Sequence, residues 1–359
     1  MNRRHFLATS SAVLAAQSLP WSASASSAWR TFETVTRVEI QWPTGVSRAW
    51  VPLPLVEDNE WHRTVGNAWT GNAARMQPLG DGKYGVSFIY AEWREGPATP
   101  VLEVTSRFMT RDRSVDLATA GSVADLSSAD REFYTAPTEL IPTDGIVRKT
   151  AQAAAKSART DVEKARALYE WVVDNTFRDP KTRGCGWGDI RQMLETGNLG
   201  GKCGDLNALF VGLARSIGVP ARDTYGLRVA RSAHGYASLG VGSPNVTRAQ
   251  HCRAEFFAKG YGWVPVDPAD VRKVVLEEPP GKLPENHEKV LAARKRLFGN
   301  WEMNWLAYNR GHDLTLPNSS GPKLPYLMYV NAETGGEMLD QLDPDTVKYT
   351  ITAREVPAA

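Results

Sequence analysis

The chain has 359 residues, 42% of them hydrophobic, and carries 42 basic against 40 acidic side chains. A chain of this length can bury a large core divided into two or three structural units. Its balanced charge gives no indication of binding to nucleic acid or to an anionic membrane. No apolar run reaches the roughly 18–20 residues that a membrane span requires, so we expect a soluble globular protein.

The first 25 residues have the features of an export signal. Arg3 and Arg4 precede a short apolar stretch, and Ala23-Ser24-Ala25 forms a small-residue cleavage site. The paired arginines resemble a twin-arginine signal, whose pathway carries folded proteins; an ordinary secretory signal is the alternative. Because residues 1–25 hold two basic and no acidic residues, their removal leaves 40 of each. We expect a periplasmic or secreted protein.

Residues 26–125 predict a small antiparallel β domain. Its segments are rich in β-branched and aromatic residues and are separated by turn residues such as Gly80-Asp81-Gly82. The predicted strands are Thr34–Ile40, Ala49–Leu53, Tyr84–Trp93 and Val101–Met109.

Residues 126–280 predict a mixed helical and strand domain. Thr160 and Glu163 form a capping-box pattern before an amphipathic helix. A second helix begins near Cys203 and ends at Gly218, with one apolar face made by Leu206, Leu209, Phe210, Leu213 and Ile217. Strands are predicted at Asp223–Val229, Ala249–Phe257 and Gly262–Val266. Residues 281–359 form a C-terminal extension packing on the core, with a short helix near 286–298 and a last strand at Thr346–Arg354.

Cys203 is the candidate nucleophile. It lies where Gly200-Gly201-Lys202 meets the second helix, and a helix N-terminus favours the reactive thiolate. Its own backbone N–H is placed to donate to an oxyanion, and a glycine such as Gly201 lets a substrate backbone approach. A buried, inert cysteine is the alternative interpretation.

His251 is the candidate base and Asp267 the group that orients it. The segment between them predicts two strands joined by a turn near residue 259, the midpoint of the two positions. Both side chains then lie on one face of an antiparallel hairpin, within a one-residue slip of register. A carboxylate there fixes the imidazole tautomer and stabilises the imidazolium. Pro265 favours an edge strand. His234 is the competing base, without a carboxylate so placed.

These residues resemble the transglutaminase-like superfamily over roughly residues 140–275. The resemblance is carried by Gly201-Lys202-Cys203-Gly204-Asp205, by the helix through Leu213–Arg222, by His251 and by Gly262–Pro268. It implies an α+β fold with a papain-like core, helices packed on an antiparallel sheet, preceded by the small β domain. It assigns the catalytic roles to Cys203, His251 and Asp267.

The chain departs from that pattern beside the histidine. Several members have a His-Ala-Trp run, where this sequence has His251-Cys252-Arg253. The second oxyanion donor is not identified by the resemblance; Trp187 is a candidate. Asp205 is interpreted as a first-turn carboxylate favoured by the helix dipole.

The three cysteines leave the redox state open. In an oxidising compartment Cys185 and Cys252 could pair and leave Cys203 free, whereas a disulfide involving Cys203 would inactivate the site. No metal or cofactor is predicted, since the sequence has no His-Glu-x-x-His run.

The predicted function is hydrolysis of amide or peptide bonds in a protein or peptide substrate through a thioester on Cys203. The alternatives are a protein-crosslinking transamidase, a non-catalytic peptide- or glycan-binding module with a Trp-rich cleft, and an assembly partner acting through the β domain. The oligomeric state stays open.

Overall fold

The computed structural model describes residues 28–357, so the predicted export signal lies outside the described residues. The N-terminal part of this range is antiparallel β structure, as predicted. Its strands are β1 (Arg30–Ile40), β2 (Ser47–Pro52), β3 (His62–Gly71), β4 (Arg75–Gly80), β5 (Ser87–Trp93), β6 (Val101–Thr110) and β7 (Arg113–Ser114). The neighbours β1, β6 and β3 belong to one sheet, and β2, β5 and β4 to another. The sequence did not predict β3 and β4, because their side chains are largely exposed and show no apolar alternation.

The middle of the chain alternates helices with short strands. These are α1 (Ser128–Thr135), α2 (Gly145–Ala154), α3 (Asp161–Asn175), β8 (Phe177–Arg178), α4 (Ile190–Thr196), β9 (Gly200–Gly201), α5 (Cys203–Ser216), β10 (Ala221–Arg228), β11 (Gln250–Ala258), β12 (Gly262–Val266) and α6 (Pro268–Glu277). As predicted, α3 starts with a capping box: the Thr160 hydroxyl accepts from the Glu163 amide, and the Glu163 carboxylate accepts from the Thr160 amide.

The last part of the chain adds α7 (Glu288–Arg296), β13 (Asn300–Trp301), β14 (Trp305–Asn309), β15 (Asn331–Thr334), β16 (Glu337–Met338) and β17 (Val347–Val356). The central antiparallel sheet has the order β12-β11-β10-β14. Helix α5 packs against β10 and β11 on one side and contacts α2, α3 and α6 on the others. Every residue of α5 is therefore buried, rather than only the predicted apolar face, because a helix enclosed on all sides has no solvent-facing surface. The fold is the predicted α+β class, with helices packed on an antiparallel sheet.

C-terminal strands complete both N-terminal sheets. β17 pairs with β1 from Thr31 opposite Val356 to Ile40 opposite Val347, and β15 pairs with β2. The extension predicted at 281–359 thus contacts the β sheets as well as the core, while the boundaries at 125 and 280 stay predictions. Within residues 28–357, no helix is both long and apolar enough to cross a bilayer.

Candidate active site

Cys203 is the first residue of α5. Its side chain is only 4% exposed, and the helix capping residue before it is Lys202. The amide of Gly204 donates to the Cys185 carbonyl at 2.7 Å, whereas the amide of Cys203 meets no hydrogen-bond acceptor among residues 28–357. The helix N-terminus thus keeps one free donor beside the thiol, which suits it to bind an oxyanion.

Asp205 ties the glycine-rich loop to α5. Its carboxylate accepts from the amide of Lys202 at 3.0 Å and from that of Gly188 at 2.9 Å. Burial raises its pKa, against the opposing effect of these donors. The loop passes so close that a Cβ at Gly186, where φ is +92°, would lie 1.8 Å from the Asp205 Oδ2 atom. These contacts agree with the first-turn interpretation of Asp205.

The structure does not place Gly201 and Trp187, the two candidates for oxyanion or substrate contacts, in those roles. The Gly201 carbonyl accepts from the Asp179 amide at 2.9 Å, and a Cβ on Gly201 would lie 2.6 Å from the Asp205 Cβ. Trp187 is 70% exposed and lines an adjacent cavity of about 340 Å³ that Cys203 does not line. Gly201 therefore packs closely against Asp205, and Trp187 lines a different cavity from Cys203.

His251 and Asp267 form a buried pair. The His251 Nε2 atom lies 2.7 Å from Asp267 Oδ2, and the two residues are 4% and 0% exposed. Strands β11 and β12 form the predicted hairpin with β12 at the sheet edge. Its register runs from Ala258 opposite Gly262 to Ala254 opposite Val266, so the centre is residue 260 rather than 259.

This shift changes how the pair meets. Asp267 lies just beyond β12 as the capping residue of α6, where it accepts from the Asp270 amide at 3.1 Å. By register it faces Arg253, which projects on the same face of β11 as His251. The carboxylate therefore reaches His251 diagonally, with Arg253 Nε 3.6 Å from the same oxygen. The hairpin register is therefore shifted by one residue, which is the shift that the sequence analysis allowed for.

Three further side chains that the sequence did not single out hold this pair. Asn207 Nδ2 donates to the Cys252 carbonyl at 2.8 Å and lies 3.3 Å from Asp267 Oδ1. Asp270 Oδ1 lies 3.4 Å from His251 Nε2, and Arg228 Nη2 donates to both Asp270 oxygens at 2.6 and 2.7 Å. Spacing could have indicated two of them, since Asn207 is four residues after Cys203 and Asp270 three after Asp267, each on a shared helix face.

The charges of the site favour a thiolate beside an imidazolium. The neighbouring Cys185 and Cys252 thiols, followed by the His251 ring, hold the pKa of Cys203 well below its usual range despite burial. Burial and Arg228 lower the pKa of His251, but the Asp270 and Asp267 carboxylates outweigh them and raise it to about 9. These shifts favour a Cys203 thiolate beside a His251 imidazolium, which is the reactive state of a cysteine nucleophile.

The three cysteines are free and form one buried cluster. The sulfurs of Cys203 and Cys252 are 3.7 Å apart, and the Cys185 sulfur lies within 4.8 Å of both. The Cys185 thiol also donates to the Gln250 carbonyl at 3.4 Å. Cys185 and Cys252 therefore both lie next to the candidate nucleophile. The cluster holds the thiols for a Cys185–Cys252 disulfide and equally those for a disulfide that includes Cys203.

Two groups of described residues have the ligand types of a metal site: the three-cysteine cluster, and His251 with Asp267 and Asp270. In the second group the carboxylates already face cations, Arg253 beside Asp267 and Arg228 beside Asp270. Those oxygens are therefore engaged in ion pairs rather than directed at a common vacant point.

The competing base is elsewhere. His234 Nε2 lies 3.5 Å from Asp112 Oδ2, so it does have a carboxylate partner, contrary to the sequence-based expectation. His234 does not line the cleft of about 710 Å³ that Cys203 and His251 line. The structure places His251, and not His234, with the candidate nucleophile.

Comparisons with known proteins identify the family. Residues 148–268 match the model of the transglutaminase-like superfamily. An uncharacterized protein of Haemophilus influenzae is 35% identical over 328 residues, 87% of each chain. A solved structure from Cytophaga hutchinsonii, of a protein proposed to be a cysteine protease, covers 93% of both chains with a TM-score of 0.59 and 13% identity, which shows a shared fold. The chain belongs to the transglutaminase-like superfamily.

Proposed function

We propose that this protein is an exported cysteine-dependent acyl-transfer enzyme that hydrolyses amide or peptide bonds through a thioester on Cys203. The observation that carries the proposal is the position of Cys203 at the start of a buried helix, on the same cleft as a His251 that is paired with Asp267 at 2.7 Å. Cys203 and His251 both line one cleft, so a substrate can reach them together.

In the acylation step the Cys203 thiolate attacks the amide carbonyl carbon. The carbonyl electron pair moves to oxygen, and the free Cys203 amide donates to the resulting oxyanion. Collapse of this intermediate breaks the C–N bond, and the departing amine takes a proton from the His251 imidazolium. Since Asp267 holds Nε2–H, the ring nitrogen that serves Cys203 is Nδ1.

In the deacylation step water replaces the amine. Neutral His251 removes a proton from water as it attacks the thioester carbonyl, and the C–S bond breaks to release a carboxylic acid. Cys203 leaves as a thiolate beside a protonated His251, which restores the starting ion pair. Asp267 stabilises the imidazolium in both steps.

Alkylation with iodoacetamide at pH 7 tests the ion pair. We expect Cys203 to be labelled before Cys185 and Cys252, with the sites assigned by peptide mass spectrometry. We expect His251→Ala to slow that labelling by up to about 30-fold, because an unperturbed thiol is only about 3% ionised at pH 7. An unchanged rate in His251→Ala would contradict the proposal.

Turnover separates the enzyme from its alternatives. A synthetic peptide library is incubated with the protein and a fluorescent primary amine, with Cys203→Ala as the control. Cleaved peptides that depend on Cys203 support hydrolysis, and incorporated amine would assign a transamidase instead. A Cys203 of ordinary reactivity together with no product would assign a non-catalytic binding module.

The export part of the proposal is supported by Arg3, Arg4 and the small-residue site at Ala23-Ser24-Ala25. It predicts that the mature protein is recovered outside the cytoplasm. Replacement of both arginines by lysine should leave the full-length precursor in the cytoplasm, as detected by cell fractionation. Normal export of that variant would rule out the twin-arginine route.

A further inference from the structure

The cleft at Cys203 is strongly cationic. Its volume is about 710 Å³, and no aspartate or glutamate is among the described residues that line it. Its basic lining side chains are Arg178, Arg183, Lys202, Arg228, Arg248 and Lys273. The chain as a whole is close to neutral, so this concentration of one sign belongs to the cleft and not to the average surface.

Four of these cations form ion pairs with carboxylates that do not line the cleft. The partners are Asp270 for Arg228, Asp340 for Arg183, and Glu277 for both Arg178 and Lys273. Three carboxylates thus face four cations, and none of the three lines the cleft.

Lys202 and Arg248 have no ion-pair partner within residues 28–357. Lys202 directly precedes the nucleophile, and Arg248 lies three residues before His251 in the segment that leads into β11. The two unpaired cations therefore stand close in sequence to the two reacting groups. Buried thiols and His251 already account for the thiolate at Cys203, so stabilising that thiolate does not require these cations.

We propose that the acyl donor is an acidic peptide, whose carboxylates bind Lys202 and Arg248 while the scissile amide lies at Cys203. This inference rests on the proposed hydrolytic function. A cleft lined by one sign of charge attracts the opposite sign and raises its local concentration. Guanidinium and ammonium groups bind carboxylates through charge-assisted hydrogen bonds. A peptide with basic side chains would meet repulsion from the same walls.

Two alkylating reagents that differ by one unit of charge test the electrostatic potential at Cys203. Iodoacetate and iodoacetamide form the same thioether bond, so the ratio of their rates at Cys203 reports the preference for an anion. We expect Arg248→Glu to lower the iodoacetate-to-iodoacetamide ratio roughly fourfold at low ionic strength, the effect that Coulomb's law gives for a change of two unit charges acting across ~10 Å of water. High salt should reduce the difference. The matched control is Arg94→Glu, another exposed arginine, in the turn between β5 and β6 and outside the cleft.

Protection by peptides tests the substrate class. Triglutamate should protect Cys203 of the wild-type protein from iodoacetamide better than triglutamine does, and Arg248→Glu should remove that advantage. Equal protection by both peptides, with a charge ratio that Arg248→Glu leaves unchanged, would overturn the inference. This outcome can be told apart from a failure of the proposed function. If the alkylation rate of Cys203 does not change in His251→Ala, the proposed function fails, but Cys203 can still show or lack a preference for anions.

Discussion

At the scale of single residues, His251 is held by two carboxylates rather than the one that a Cys-His-Asp pattern contains. Asp267 accepts from Nε2 at 2.7 Å, and Asp270 lies 3.4 Å from the same nitrogen while it pairs with Arg228. Arg228 by itself lowers the pKa of His251, so Asp270 both offsets that cation and favours the imidazolium. We therefore infer that Asp270 is a positioning residue that sets the pH range of the ion pair.

Asp270→Asn tests this role. Loss of its charge leaves Arg228 uncompensated beside the ring, so the pKa of His251 should fall below its value of about 9. The step in Cys203 alkylation rate that accompanies deprotonation of His251 should move to lower pH. An unpaired buried Arg228 should also cost about 3–5 kcal/mol of stability. The double variant Asp270→Asn/Arg228→Met should recover stability, and an alkaline step that stays near pH 9 in Asp270→Asn would contradict the assignment.

At the scale of elements, the Asp205 side chain of α5 fixes the loop that precedes this helix by accepting hydrogen bonds from loop amides. Gly186 has a φ of +92°, and its Cα passes next to the Asp205 carboxylate, whose oxygens hold two loop amides. A glycine is needed here for both conformation and space. The loop and the first turn of α5 therefore form one unit that positions Cys203.

Gly186→Ala should break that unit. The added methyl would meet Asp205 Oδ2, and the positive φ is strained for alanine, so we expect a loss of about 2–4 kcal/mol in the free energy of unfolding. Urea denaturation measures it, with Gly82→Ala as the control, since a Cβ at Gly82 meets nothing within 4 Å. Equal stability of the two variants would show that the loop can relax without cost.

The sequence predicted the individual strands and helices better than it predicted the tertiary contacts between them. Alternation located β1, β2, β5 and β6, and the capping box located α3, because these signals are local. The hairpin centre was misplaced by one residue, since Gly260 and Gly262 both adopt positive φ and lengthen the turn. The contact between α5 and β11 that brings Cys203 to Cys252 depends on packing between distant segments, which no local pattern records.

At the scale of the whole molecule, β17 joins the N-terminal sheet to the cleft. It pairs with β1 along its length, while Val347 and Tyr349 line the cleft that contains Cys203. Ile351, 3% exposed, belongs to the same hydrophobic cluster as residues of α5 and β11. The two regions thus share one core through their last strand.

Shared packing predicts a single unfolding transition. Ile351→Ala should cost about 2–5 kcal/mol, and the tryptophan-fluorescence and Cys203-accessibility transitions should shift together in urea. Lys348→Ala, on the exposed face of the same strand, should change stability by less than about 0.5 kcal/mol. Separate midpoints for the two probes would instead indicate that the N-terminal sheet and the core unfold independently.

The three-thiol cluster makes oxidation of the candidate nucleophile Cys203 reversible. If peroxide oxidises Cys203 to a sulfenic acid, the Cys252 thiol, now 3.7 Å from that sulfur, can attack it, expel water and form a disulfide that a thiol reductant reverses. The disulfide would halt the oxidation short of the irreversible sulfinic acid. Mass spectrometry of peroxide-treated protein should show the loss of two hydrogens, restored by reductant, in the wild type. Cys252→Ala should accumulate oxygen on Cys203. A disulfide in that variant would show that Cys185 attacks the sulfenic acid in place of Cys252.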